Sequence, residues 1–204
     1  MKILNIGSIR KAKQKGFTII ELVVVILLLG ILTATALPRF MDISDEAHGA
    51  VVDAVEGSLR TGMALFHAQW LAEGQPTTGI TYDGGTLHPS ADITGYPSST
   101  DGTYSDSADC LAVFNGLLTL GGMTIASVDT DSTSAATAEA AVEGAVGAND
   151  WVATELVDTP SDCIFYYTGQ FQSGTSTANA IIPTLTYDIS AGSITRGSIT
   201  WVVD

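Results

Sequence analysis

The chain has 204 residues, with 22 acidic against 8 basic side chains and a net charge of −14. Binding to phosphate backbones rests on Lys and Arg, so this balance excludes direct nucleic-acid recognition as an expected role and leaves most acids as a solvated coat. The bases are unevenly placed: Lys2, Arg10, Lys11, Lys13 and Lys15 precede Gly16 without an acid among them, and the remainder has only Arg39, Arg60 and Arg196.

A basic N-terminal segment orients a membrane span with the basic end in the cytoplasm. Phe17 to Leu37 is 21 residues of apolar character interrupted by Glu21. At about 1.5 Å per residue it spans ~30 Å, enough to cross a bilayer. A carboxylate inside the edge of such a span costs on the order of 2 to 4 kcal/mol, so Glu21 calls for a partner. A secretory signal carries its small-residue cleavage site after the apolar region and loses that region. Here the small residue, Gly16, comes first. Cutting after it keeps the span and frees a cationic amine on Phe17, four residues from Glu21 and a candidate partner for it.

The string Lys15-Gly16-Phe17-Thr18-Ile19-Ile20-Glu21, leading straight into the apolar run, resembles the start of a type IV pilin precursor. The resemblance implies that residues 1–16 are a leader and that a prepilin peptidase cuts between Gly16 and Phe17 and N-methylates Phe17. It implies that Glu21 pairs with the Phe17 amine of a neighbouring subunit. Gly30 and Pro38 fall where the family has its helix-weakening glycine and proline. Arg39 to Trp70, Cys110 with Cys163, and Pro183 to Asp188 are similar to pilins of the mannose-sensitive haemagglutinin type. The implied partners are further copies of the chain, the peptidase, an assembly ATPase, a platform protein and the inner membrane before assembly. The implied location is an inner-membrane precursor with a periplasmic head, then an extracellular filament that attaches to surfaces.

Residues 17–37 are thus expected to form the membrane and filament-core helix, and 38–75 its amphipathic continuation. Pro38 lacks an amide proton and crowds the Ala34 carbonyl, which predicts a kink or weakness between Gly30 and Pro38, with Thr33 and Thr35 adding to it. Beyond it Phe40, Ile43, Ala47, Ala50, Val51, Ala54, Val55, Leu59, Met63, Phe66, Trp70 and Leu71 recur every three to four residues, with acids between them. Gly74-Gln75-Pro76 is a stop signal. Residues 76–204 read as one head. A hairpin is expected around Asp83-Gly84-Gly85, then a polar loop from Ser90 to Asp109, and a short helix from Cys110 to Leu118. The Ala-rich stretch 135–146 admits a helix, though Gly144, Gly147 and the polar run before it favour a variable surface excursion, and strands are expected at 163–168, 182–189 and 193–203. The fold class is α+β: a long N-terminal helix packed on a small antiparallel sheet.

Two cysteines in a domain placed outside the cytoplasm read as a disulfide, Cys110 to Cys163, and their spacing fits neither a zinc site nor a Cys-x-x-Cys redox pair. No enzyme, metal or cofactor is expected. His48, His67 and His88 have no ligand spacing and read as helix surface, packing edge and loop. Asp101, Asp106 and Asp109, and Asp129 with Asp131, lack a full calcium series and read as turn chemistry. Tyr166, Tyr167, Phe171, Tyr187 and Trp201 read as core and strand-surface residues before a sugar platform. Two other readings share this N-terminus: a pseudopilin of a type II secretion system, and a plain signal anchor holding a soluble domain.

Overall fold

A computed structural model describes residues 16–83, 85–90, 94–102, 106–129, 142, 144–156, 162–171 and 181–200, without the side chains of 41 and 42. The helix α1 runs Ile19–Ala72 with Pro38 inside it. The chain divides into two compact units, Met1–Ser44 and Asp45–Asp204.

In the first unit the described side chains from Gly16 to Ser44 are almost all exposed, among them Val23 to Leu29, Ile31, Leu32 and Leu37. Between Glu21 and Pro38 the polar side chains are those of Thr33 and Thr35, whose hydroxyls turn inward and donate to the carbonyls of Leu29 and of Ile31 and Leu32. Such back-bonding hides the hydroxyl from lipid and softens the helix one turn before Pro38.

In the second unit α1 buries Val52, Val55, Leu59, Met63, Phe66 and Trp70. These lie three and four apart and so share one face. Leu71, expected on that face, is exposed, because about 100° per residue carries it well off the line that ends at Trp70. Ala50 and Ala54 are likewise exposed. The helix ends as the stop signal requires. Gly74 (φ 86°) and Gln75 (φ 60°) turn left-handed, and their amides donate back to the carbonyls of Leu71 and Trp70. This pair of bonds is a Schellman ending, and the Trp70 indole adds a bond to the Pro76 carbonyl at 2.9 Å.

The hairpin forms as expected from β1 (Ile80–Tyr82) and β2 (Gly85–Pro89), and β3 (Pro97–Ser99) joins it to complete a three-stranded antiparallel sheet. The expected loop from Ser90 to Asp109 is therefore interrupted by a strand, and α2 (Ser107–Leu117) begins three residues before Cys110. Asp106 caps α2 by accepting from the Asp109 amide at 2.8 Å, while Asp109 accepts from the amide and hydroxyl of Thr100. These aspartates serve capping and turn bonds. Asp131 lies outside the described residues.

The second sheet has the order β4 (Ile125–Ser127), β5 (Trp151–Glu155), β6 (Cys163–Tyr167), β7 (Ile181–Asp188), β8 (Ser193–Thr200). All neighbours are antiparallel except β4 and β5, which run parallel. β4 and β5 were not anticipated. The expected strand end at 201–203 lies outside the described residues, as does most of 135–146. Its described Val142 is fully buried, which overturns the surface-excursion reading at that position.

Period-two alternation splits this sheet between two cores. Trp151, Ala153, Cys163, Phe165, Tyr167, Leu185 and Tyr187 face α1 and α2, whereas Val152, Ile164, Tyr166 and Ile182 face the other way onto Val142. β6 is therefore buried at every residue. Phe114 centres the inner core, its ring 4.9 Å from Phe165 and 5.6 Å from Trp151. Tyr187 donates to the Pro97 carbonyl at 2.8 Å and so ties β7 to β3; burial pushes its phenol well above the ordinary range. At β8, Arg60 reaches from α1 to the Ile194 carbonyl while holding Glu56, and Arg196 pairs with Asp53.

Candidate functional site

The first helical turn of α1 explains how a carboxylate is tolerated there. Thr18 precedes the helix, and its amide and hydroxyl both donate to Glu21 Oε2, at 2.9 and 2.7 Å. The Glu21 amide returns a bond to Thr18 Oγ1 at 3.2 Å. This is a reciprocal capping box, Thr-x-x-Glu, which satisfies amides that open a helix with no intrahelical acceptor. Glu21 therefore has a partner within its own chain, Thr18, which the sequence reading passed over although the four-residue spacing is its signature. Both Thr18 bonds fall on Oε2, which leaves Oε1 open on an exposed side chain.

Phe17 and Gly16 lie just before this box, outside the helix, with Phe17 86% exposed. Gly30 sits in α1, where a Cβ would meet nothing within 4 Å beyond the helix's own adjacent backbone, and Pro38 lies eight residues on within the same helix. By length and composition α1 is long and apolar enough to cross a membrane.

The remaining predicted residues sit in the other unit. Cys110 and Cys163 form the expected disulfide, Cα to Cα 5.5 Å, joining α2 to β6 in the inner core. His48 is not a free surface residue: its Nδ1 lies 2.8 Å from the Tyr167 hydroxyl. His67 packs as expected, its ring stacked on Tyr96 and Trp70. His88 lies in β2 and not in a loop. Tyr166, Tyr167 and Tyr187 are buried, so they form no sugar-stacking platform, and Trp201 lies outside the described residues. Among the described residues no group of three His, Cys, Asp or Glu could hold a metal ion.

The arrangement is a capped apolar helix segment, exposed from Ile19 to Leu37 but for Ala36 and carrying one carboxylate at its first turn, in a chain with a disulfide-bonded α+β head. Comparison with known proteins agrees. Residues 11–37 match the model of the prokaryotic N-terminal methylation motif. The chain is 38% identical over 107 residues to PilA5, the major component of the narrow type IV pilus of Thermus thermophilus, covering 51% of this chain and 90% of that protein. It is 42% identical over 72 residues to the fimbrial protein EcpB of Eikenella corrodens, and 38% identical over 78 residues to the type IV major fimbrial protein FimA of Dichelobacter nodosus. These cover 35% and 34% of this chain but only 43% and 45% of those two proteins. No solved structure matches. The chain belongs to the type IV pilin family.

Proposed function

We propose that this protein is the structural subunit of a type IV pilus, cut between Gly16 and Phe17, N-methylated on Phe17 and polymerised through α1. The observation that carries it is the match over nine-tenths of a major pilus component, together with an α1 whose first unit is exposed along its length. Neither the pseudopilin nor the signal-anchor reading is favoured by the relatives, which are pilus and fimbrial proteins.

The apolar helix is compatible with lipid and equally with a bundle of its own copies, so transfer into a filament exchanges one apolar contact for another without exposing the surface to water. Contacts repeated head to tail without closing a ring give an open helical polymer. In that bundle Glu21 Oε1, left open by the capping box, receives the cationic amine of a neighbour's Phe17. Softness between Gly30 and Pro38 lets helices adjust as heads pack. The peptidase, assembly ATPase and platform protein act on the inner-membrane precursor, whose head lies in the periplasm; the product is an extracellular fibre that attaches to surfaces.

Mass spectrometry of sheared surface material tests the processing and location. Filament protein beginning at N-methylated Phe17, with the disulfide intact, is the expected result. All four lysines precede Gly16. Amine-directed labelling of the mature chain should therefore mark its N-terminus alone. Protein retaining residues 1–16 and confined to membranes would overturn the proposal.

A further inference from the structure

The end of α1 carries a conformational cost that a glycine would avoid. Gln75 is left-handed at φ 60°, a region that glycine enters freely and a glutamine seldom occupies. Gly74 beside it, at φ 86°, already supplies the permissive residue of the turn. Among the described residues other than glycine, Asp83 alone shares this region, and it sits in the hairpin turn between β1 and β2, where such a backbone is ordinary. Strained residues outside such turns gather at functional sites, where surrounding contacts hold them.

Gln75 lies on the lining of a cavity of about 250 Å³ within the second unit. Trp70, Pro89 and Ser90 are buried and form its floor, whereas Gln75 and Thr77 are exposed at the rim, with Pro76 half-buried between them. The Trp70 wall is fixed in advance. Its indole donates to the Pro76 carbonyl at 2.9 Å, and the His67 ring stacks on it at 5.4 Å. A wall already held in place costs little further ordering when a ligand enters.

The chemistry of the lining selects the ligand. None of these described lining residues is charged, in a chain with 22 acidic and 8 basic side chains. A charged ligand would shed water there without meeting a counter-charge. A wholly apolar one would strip water from the Gln75 amide and the Thr77 and Ser90 hydroxyls and return no hydrogen bond. An uncharged ring with an apolar face and an edge of hydroxyls answers both demands. The volume lies below the roughly 300 to 1,000 Å³ of sites for drug-sized ligands, which suits one ring and not a chain of them. We infer that this cavity binds a single uncharged pyranose ring, its C–H face against Trp70, Pro76 and Pro89 and its hydroxyls on Gln75 and Thr77. The site belongs to the head alone, so it serves a free subunit and a filament equally and does not rest on the pilus reading.

The test uses the full chain, disulfide intact, in a zwitterionic detergent free of sugar. Methyl pyranosides of neutral hexoses and N-acetylhexosamines are titrated in, followed by tryptophan fluorescence and by saturation-transfer NMR of the ligand. At least one should bind saturably with a Kd of about 1 mM, the scale open to a ligand of so few atoms. Gln75→Gly should weaken binding about ten-fold or more while Tm stays level or rises, a split that a purely structural glutamine would not show. Thr77→Val should weaken it similarly at unchanged Tm, and Thr119→Val, outside the cavity, should change neither. The inference fails if no glycoside in the panel saturates, or if Gln75→Gly and Thr77→Val bind as wild type does. It fails equally if methyl glucuronide or cyclohexanol, a charged ring and one without the hydroxyl edge, binds more tightly than the neutral glycosides. A lower Tm in Gln75→Gly assigns Gln75 to packing and also overturns it.

Discussion

Reducing Cys110–Cys163 should be among the most damaging single chemical changes to the head. The bond closes a chain segment with a sequence separation of 53, and both half-cystines are fully buried. In the chain-entropy account a loop of that length restricts the unfolded state by about 4 kcal/mol. That is a large share of the roughly 5 to 15 kcal/mol by which a domain is stable. The assay is urea unfolding of the detergent-solubilised subunit, oxidised against fully reduced, followed by the fluorescence of the buried Trp70 and Trp151. With a denaturant slope of about 2 kcal/mol per molar, the midpoint should fall by ~2 M on reduction. A fall under about 0.5 M would refute the reasoning, since less than ~1 kcal/mol would then come from the constraint. Cys110→Ala with Cys163→Ala should match reduced protein to within the small contribution of packing.

Gly62→Val should destabilise the head by several kcal/mol, because even a Cβ there would stand 2.8 Å from the Leu117 carbonyl oxygen, and thermal unfolding checks it. Alkali should weaken the head through Tyr187. Burial holds its phenol neutral in the folded state, so its contribution is complete below about pH 10 and is lost as the unfolded phenol ionises above that, by up to ~1.4 kcal/mol per pH unit. Tyr187→Phe should flatten that alkaline slope while removing about 1 kcal/mol at neutral pH with the Pro97 bond. Asp188 carries the opposite sign: bonds from the Ser190 hydroxyl and Ala191 amide lower its carboxyl, so its contribution is lost as pH falls through the usual carboxylate range. Thr18→Ala should loosen the first turn of α1 by about 1 kcal/mol and release Glu21, whereas Thr18→Ser should behave as wild type; amide exchange at residues 19–22 in micelles is the readout.

Much of the site is legible in the amino-acid order, since its elements are local. A basic segment, Gly16-Phe17, Glu21 and an apolar run are neighbours in sequence, and helix periodicity alone places the part from Ile19 onward. The partner of Glu21 within its own chain is readable too, as Thr-x-x-Glu, although the cost of a carboxylate in lipid points first to a partner outside the chain. The amphipathic stretch is found but rotated slightly, with Val52 in the core and Leu71 outside it, because a face is selected by what packs on it and not by spacing alone. β4 and β5 escape notice because β4 is only Ile125–Ser127 and pairs in parallel with a strand more than twenty residues later. No turn signal marks such a pairing.

The amino-acid order by itself determined that the chain would carry an N-terminal helix, apolar over a membrane's length, with one acid in its first turn, since rise and rotation per residue are properties of any helix. It also pointed to the pairing of its two cysteines. Only the tertiary structure decided that β5 and β6 are buried on both faces, that Val142 packs on the outer one, and that His48 is bound to Tyr167. Those contacts join residues distant in sequence, and their energies come from packing that no local pattern encodes.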